Sequence, residues 1–283
     1  MSIRITETGA ALGARIEGID LTNALDEATF AAVRNAFYKY EVVYFRGSEL
    51  SDEDHIRFSE RFGELRKLKL DQLHAKHPEI FIVSNIVEEG KHIGAYDAGL
   101  FWHTDGAYLK NPHAISALRA LEVPVQDGRV LGDTVFASMS AAYDALSASM
   151  KKQLEGLQAL QSIIHRHQKT LQSGRKKEYN AAVKADPEAV HPVVRVHPIT
   201  KRKCLYVSEG YTVNILGLPE DESQDLIATL TSHIAKPEFH YRHNWRDNDL
   251  VMWDDCSTQH KATFDYALPL RRRMHRTTVI NGL

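Results

Sequence analysis

Hydrophobic residues in the N-terminal part of the chain recur at the spacing of amphipathic helices, and short apolar runs lie between and after them. Residues 26–40 have this spacing and an acidic first turn, which is favourable at the positive end of a helix dipole. The runs 42–45 and 80–83 predict buried strands. Ser51 is typical of a helix N-cap. The helix that it begins has four apolar positions: Ile56, Phe58, Phe62 and Leu65.

From residue 100 onwards the pattern changes to short strands. We predict strands over seven segments: 100–105, 114–121, 134–138, 204–208, 239–245, 250–253 and 275–280. A helix over 220–234, with Pro219 near its start, lies among them. Many short strands with helices at the flanks predict a mainly β, α+β fold with a jelly-roll core. We expect one domain over residues 1–283.

A segment at about residues 140–195 interrupts the strand pattern. Residues 141–146 and 149–164 have the spacing of helices, whereas 166–190 is charged and follows no period. We interpret the segment as an insert between core elements. Two hypotheses about the stretch 166–190 have equal weight: a lid that covers a site, or a solvated loop without a role in function.

Composition places the chain among ordinary soluble globular proteins. Of its 283 residues 43% are hydrophobic and 25% are charged, and the formal net charge is -2. Because there is neither a basic excess nor a long apolar stretch, we expect no nucleic-acid and no membrane partner. The first residues lack the apolar core of a secretory signal. Cys204 and Cys256 are far apart and lack CxxC spacing, so we expect a reduced, cytoplasmic setting.

His103, Asp105 and His260 are candidate metal ligands. A histidine and an aspartate two apart on an extended segment face the same side. With a second imidazole from far downstream they form the facial triad that holds Fe(II) and leaves coordination positions open. His103 alone would be better explained as a hydrogen-bonded core histidine. The neighbouring Phe101 and Trp102 change this, because an apolar wall makes an unpartnered histidine and aspartate costly to bury.

A cluster of arginines follows His260. Strand alternation places Arg272, Met274 and Arg276 on one face. Guanidiniums that face a metal centre are costly to bury unless they bind carboxylates or similar anions. A solvated basic run is the alternative, and it would be the better one if the cluster stood alone. Thr134 could add a hydroxyl group to one anion site.

The motifs around these residues resemble the TauD/TfdA family of Fe(II)- and 2-oxoglutarate-dependent dioxygenases. They run in order along nearly the whole chain: residues 13–21, 61–65, 102–105, 132–134, 208–212 and the block 253–276. The resemblance implies a double-stranded β-helix that binds Fe(II), 2-oxoglutarate and O2. It also implies a role for each site residue: His103, Asp105 and His260 as iron ligands, Arg272 and Thr134 at the distal carboxylate of 2-oxoglutarate, Arg276 at the anionic end of the substrate, and Tyr211 in the wall of the substrate pocket.

The sequence departs from the taurine-using branch of that family at three places. Residues 66–69 stand where that branch has histidines, Gly99 stands where it has an asparagine, and Asp255 replaces an asparagine that commonly follows Trp-Asp. The first two departures argue against taurine as the substrate. We expect a small organic acid such as a carboxylate, an aryloxyalkanoate or a sulfonate, which is hydroxylated and in some cases thereby cleaved, and a homo-oligomer. Two alternatives remain: a zinc hydrolase on the same ligands, and a non-catalytic jelly-roll protein that binds a small acid.

Overall fold

The computed structural model describes residues 3–67, 74–174 and 188–281. Its helices are α1 (Glu27–Tyr40), α2 (Asp52–Glu60), α3 (Met139–Asp144), α4 (Ala148–Gln153), α5 (Ile163–Gln172) and α6 (Glu220–Ile234), with a 3-10 turn at Pro237–Phe239. Within these ranges no helix combines the length and the apolar character needed to cross a bilayer.

Strands make up most of the remaining regular structure. They are β1 (Arg4–Glu7), β2 (Ala14–Glu17), β3 (Val42–Phe45), β4 (Glu64–Leu65), β5 (Phe81–Ser84), β6 (Val87–Glu88), β7 (Lys91–His92), β8 (Ile115–Glu122), β9 (Val125–Gln126), β10 (Arg129–Val130), β11 (Thr134–Ser138), β12 (Gln158–Ser162), β13 (Glu188–Pro192), β14 (Val194–Val196), β15 (Lys203–Leu205), β16 (Thr212–Ile215), β17 (His240–His243), β18 (Leu250–Asp254), β19 (Thr258–Ala262) and β20 (Arg273–Asn281). The prediction of a mainly β chain with few helices is confirmed.

Two sheets form the centre of the molecule. The larger has eight strands in the order β1-β2-β3-β18-β8-β20-β4, with β5 also paired to β20. The smaller has the order β17-β11-β19. Side chains from both sheets share one buried cluster, in which Phe136 of the small sheet packs against Trp253 of the large one with 5.5 Å between ring centroids. Met274 of β20 lies in this core, and His260 of β19 packs against Trp253 with 4.8 Å between ring centroids, so the core positions the two strands nearest the predicted site.

Helices α1 and α2 cover the outer face of the large sheet. The side chain of Asp26 accepts a hydrogen bond from the Thr29 amide and caps α1. At the start of α2, Ser51 and Asp54 form a reciprocal capping box. The predicted helices are therefore confirmed, except that two predicted positions lie beyond the end of α2. Phe62 is in the turn that follows the helix, and Leu65 is in β4, where it pairs with β20.

Two predictions of secondary structure were wrong. Residues 100–105 form no strand; apart from one bridge between His103 and His260 the segment is a loop. The predicted helix 149–164 breaks at Gly156, which has a φ of 76°, and the chain continues as β12. Pairing of β12 with both β13 and β16 outweighs the helical preference of its residues.

The segment around residues 140–195 contains α3, α4, β12 and α5, and part of it packs together with α6 in a second buried cluster. The predicted loop at 166–190 begins within a helix, because α5 continues to Gln172. Residues 175–187 of that prediction lie outside the described residues.

Candidate metal centre and anion pocket

The loop that carries His103 and Asp105 is fixed to β19 by backbone hydrogen bonds. The amide of His103 donates to the carbonyl of His260 at 3.2 Å, and the amide of His260 donates back at 2.9 Å. The hydroxyl of Thr104 adds a bond to the Thr258 carbonyl at 2.9 Å. On the other side the Gly210 amide donates to Trp102 at 3.0 Å. A Cβ at Gly210 would lie 3.3 Å from the His103 Cβ, so only glycine permits this approach without a shift.

His103, Asp105 and His260 converge as predicted, and all three are buried. One potential ligand atom from each lies within 4.8 Å of the other two. Nε2 of His103 is 3.6 Å from Asp105 Oδ1, and Nε2 of His260 is 4.0 Å from Oδ2. These separations exceed a normal hydrogen bond. Two ligands that are each about 2.1 Å from one ion lie roughly 3.0–3.5 Å apart, so the triad fits an ion after a small contraction.

The protonation of the imidazoles also suits a metal. Nδ1 of His103 lies 2.8 Å from the carbonyl of Phe101. Because a carbonyl only accepts, this nitrogen carries the hydrogen and leaves a lone pair on Nε2. Burial lowers the pKa of both His103 and His260, which keeps the rings neutral. The buried Nδ1 of His260 has no hydrogen-bond partner among the described residues.

Asp105 is held as a carboxylate by its neighbours. Nη1 of Arg276 donates to its Oδ2 at 2.6 Å, and the Ser116 hydroxyl approaches the same oxygen at 3.1 Å. Burial alone would raise the pKa of Asp105. The guanidinium of Arg276 outweighs that effect and holds the pKa well below its usual range. The carboxylate of this candidate metal ligand is therefore charged and fixed in orientation.

Asp255 lies behind this carboxylate. Its Oδ2 is 2.8 Å from the Ser116 hydroxyl, and its Oδ1 accepts from Trp253 Nε1 at 3.0 Å. Burial, followed by the nearby charge of Asp105, raises the pKa of Asp255 well above its usual range. Since the Ser116 hydroxyl has one hydrogen for two carboxyl groups, a protonated Asp255 satisfies the geometry. It donates to Ser116, which in turn donates to Asp105.

Arg272 and Thr134 meet at Trp245. The Thr134 hydroxyl accepts from Trp245 Nε1 at 3.0 Å, and the guanidinium carbon of Arg272 lies 6.0 Å from the Trp245 ring centroid. Both residues are buried. Nε of Arg272 has no hydrogen-bond partner among the described residues, and the hydrogen of the Thr134 hydroxyl remains available for donation. The two predicted residues thus approach the same indole ring, and both keep donors available for an anion.

The contacts of β20 agree with the predicted alternation. Met274 lies in the core shared by the two sheets, and Arg276 contacts Asp105 on the same inner side. On the outer side His275 contacts Asp52 and Thr277 contacts Ser59, both of which are on α2.

Tyr211 is buried beside the metal ligands, with its ring centroid 6.0 Å from that of His103. Its hydroxyl accepts a hydrogen bond from Nη1 of Arg166 at 2.6 Å. Burial raises the pKa of Tyr211 to about 12, so the phenol stays neutral. Arg166 was not among the predicted site residues, because we interpreted 166–190 as a loop. Its spacing from Ile163 and Thr170 on one face of α5 was the signal that could have found it.

Three buried side chains that could hold a metal ion, with the guanidinium of Arg276 in contact with one of them, are typical of a metal-dependent protein. The family model "Taurine catabolism dioxygenase TauD, TfdA family" matches residues 4–278. The chain belongs to this family, which confirms the resemblance seen in the sequence.

Individual relatives agree with this assignment. Pentalenolactone F synthase of Streptomyces arenae is 35% identical, over 96% of this chain and 92% of its own. Alpha-ketoglutarate-dependent 2,4-dichlorophenoxyacetate dioxygenase of Cupriavidus pinatubonensis is 31% identical over 99% of each chain. The crystal structure of AAD-2 in complex with Mn(II) and N-oxalylglycine superposes with a TM-score of 0.84 at 28% identity, covering 99% of this chain and 97% of that one.

The chain is an Fe(II)- and 2-oxoglutarate-dependent dioxygenase, which uses O2 and acts on a small organic substrate. These findings favour that function over the two alternatives, a zinc hydrolase and a non-catalytic acid-binding protein.

Proposed function

We propose that this dioxygenase hydroxylates a small organic acid, and that His103, Asp105 and His260 bind its iron. One observation carries the proposal: three buried side chains that are too far apart to hydrogen-bond converge on a point beside the guanidinium of Arg276, which contacts Asp105.

Arg272 and Thr134 bind the distal carboxylate of 2-oxoglutarate in this proposal. A planar guanidinium donates two parallel hydrogen bonds to a carboxylate, and the threonine hydroxyl supplies a third. The support is their shared contact with Trp245, which excludes water from one side of the pocket. Displacement of water strengthens each of these charge-assisted bonds.

Arg276 and Tyr211 have roles on the substrate side. We propose that Arg276 both orients Asp105 through Nη1 and presents its remaining donors to the anionic end of the substrate. Its guanidinium lies 5.0 Å from the ring centroid of Phe81, which limits its motion. Tyr211 forms an apolar wall and keeps its neutral hydroxyl on Arg166.

Iron, when bound, supplies oxygen activation coupled to the decarboxylation of 2-oxoglutarate to succinate. The protein positions one C–H bond of the substrate near the metal and keeps bulk water away. A hydroxyl group placed beside a heteroatom then collapses to a carbonyl and a leaving group. On such a substrate hydroxylation therefore becomes cleavage.

We further infer that the two central sheets form a double-stranded β-helix within a single domain, supported by their shared core. The segment around 140–195 acts as a lid in this view, supported by the contact of Arg166 with Tyr211. Assembly into a homo-oligomer and location in the cytoplasm are predictions from sequence alone.

A panel of candidate substrates tests the acid class. Phenoxyacetate, a short alkanesulfonate and an aliphatic carboxylate are each compared with the neutral amide of the same skeleton, and succinate release is measured. The relative named for 2,4-dichlorophenoxyacetate motivates the aryloxyalkanoate. We expect at least one acid to stimulate succinate release about tenfold more than its amide, because a guanidinium is complementary only to the acid. Equal stimulation by each acid and its amide would contradict the proposal.

Replacement of Arg276 by leucine tests its assignment. We expect the KM for the acid to rise about 10- to 100-fold while the affinity for 2-oxoglutarate barely changes. The opposite pattern would assign Arg276 to the co-substrate instead.

A further inference from the structure

A third guanidinium, that of Arg166, reaches the metal centre from helix α5. Nη1 donates to the Tyr211 hydroxyl at 2.6 Å, and the guanidinium carbon lies 5.3 Å from the centroid of the same ring. The side chain is therefore held by both the hydroxyl and the face of one residue. Tyr211 also packs against Tyr108, with 5.5 Å between ring centroids, so the support itself is rigid.

Tyr211 places the guanidinium of Arg166 close to the proposed metal ligands. The Tyr211 ring centroid lies 6.0 Å from that of His103, and Arg166 donates to the hydroxyl of this same ring. Burial opposes a raised pKa of Arg166, but Tyr211, Asp97 and Asp105 outweigh it. Arg166 is thus near the candidate metal centre, although it is far from His103 and His260 in sequence.

The immediate partner of Arg166 is a neutral phenol, not a carboxylate. Among residues 3–67, 74–174 and 188–281, no carboxylate oxygen lies within the 4.0 Å of an ion pair with its guanidinium. Arg276 differs, since its Nη1 contacts Asp105. Arg166 is half-buried, and among the described residues its guanidinium donates only to the Tyr211 hydroxyl, which leaves further donors for an anion.

We propose that Arg166 is a specificity-determining residue, which binds the anionic group of the primary substrate and makes the enzyme select acids over neutral analogues. This inference rests on the proposed function. The inference adds a substrate contact from α5. This helix belongs to the segment that was otherwise proposed only as a lid. Arg166 and Arg276 then approach the anion from two different elements of the fold, α5 and β20.

Equilibrium binding tests the proposal without turnover. The full-length anaerobic Fe(II) protein with saturating 2-oxoglutarate is titrated by calorimetry with phenoxyacetate and, separately, with phenoxyacetamide. The measured quantity is the ratio of the two dissociation constants. Arg166→Gln is compared with Arg166→Lys and with the control Lys169→Gln, which removes a positive charge from the same helix without touching Tyr211. Nζ of Lys169 donates to the Glu209 carbonyl at 3.1 Å.

We expect Arg166→Gln to reduce the preference for the acid about 10- to 100-fold, with amide binding and 2-oxoglutarate affinity unchanged. Arg166→Lys should restore part of the preference, and Lys169→Gln should keep the wild-type ratio. The assignment is overturned by a wild-type ratio in Arg166→Gln, by equal weakening of both ligands, or by loss of 2-oxoglutarate affinity. If the wild-type protein itself binds acid and amide equally, the small-acid function fails first, and the role of Arg166 with it.

Discussion

The protein buries histidine next to aspartate in two different ways. In the closed pairs, Nε2 of His197 lies 2.6 Å from Asp254 and Nε2 of His243 lies 3.0 Å from Asp249. In the open triad the corresponding distances from His103 and His260 to Asp105 are 3.6 and 4.0 Å. The residue types are the same, and all of these groups are buried.

The closed pairs and the open triad differ in the hydrogen-bond partners of their ring nitrogens. Both ring nitrogens of His197 are occupied, because Nδ1 accepts from the amides of Ile199 and Thr200 at 3.0 Å. His243 is completed by the hydroxyl of Tyr241. The triad instead leaves Nε2 lone pairs that face a shared point. A closed pair stabilises the fold, whereas a separation about 1 Å greater leaves space for an ion.

Removal of an open-triad histidine should have the largest effect on function. For His260→Ala we expect succinate release to fall to background and Fe(II) affinity to fall by more than about 100-fold, because two ligands remain. The melting temperature of the metal-free protein should change little by comparison with a closed-pair variant. Succinate assays, metal titration and thermal melts measure these three quantities. Substantial turnover in His260→Ala would contradict the assignment.

Removal of a closed-pair histidine should act on stability instead. His197→Ala leaves Oδ2 of the buried Asp254 without its donor, while Oδ1 keeps the Cys256 amide, and we expect about 3–5 kcal/mol less free energy of unfolding. The control His233→Ala removes a half-buried ring that bonds only the Ala142 carbonyl among described residues, and it should cost about 1 kcal/mol. Denaturant unfolding measures both. Similar losses of unfolding free energy in the two variants would contradict a specific contribution of the His197–Asp254 hydrogen bond to stability.

A buried histidine without a paired aspartate gives a third case. His55 contacts Thr277 at 3.2 Å, and burial lowers its pKa to about 3. The unfolded chain takes up this proton near pH 6.5, so acid between these values favours unfolding. From about pH 7.5 to 5.5 we expect the wild type to lose about 1 kcal/mol more stability than His55→Asn. The same dependence of unfolding free energy on pH in the two proteins would contradict the lowered pKa of His55.

The smallest effect is expected for the amide substitution of Asp255. If its carboxyl is protonated, Asp255→Asn preserves the donor to Ser116, and succinate release should stay within about threefold of the wild type. Asp255→Ala removes that donor and the acceptor for Trp253, and should weaken metal binding about 10- to 100-fold. A loss in Asp255→Asn as large as that in Asp255→Ala would instead show that a negative charge is needed there.

Local sequence signals predicted those parts of the fold that depend on local interactions. The bounds of α6, 220–234, were predicted with Pro219 near the start of the helix, and Ser51 was recognised as a cap. Strand β12 was missed because its pairing with β13 and β16 comes from distant segments. The loop at 100–105 was wrongly predicted as a strand for a similar reason. Its pairing depends on a distant segment and consists of one bridge between His103 and His260.

The site shows the same division. The triad and the pair Arg272 and Thr134 were predicted by residue type, spacing and resemblance, and the structure brings them together. Arg166 was missed because its importance depends on where α5 packs, which no short motif records. The neutral state of Asp255 also depends on burial and on the charge of Asp105, and neither is visible in the sequence.

The most direct test of the open triad is an anaerobic titration of the Fe(II) protein with 2-oxoglutarate, followed by visible absorption. We expect a charge-transfer band that saturates at one co-substrate per chain. It should be absent in His260→Ala and should require about 10- to 100-fold more 2-oxoglutarate in Arg272→Leu, where the distal carboxylate loses its guanidinium. No band in the wild type, or an unchanged band in His260→Ala, would contradict the account.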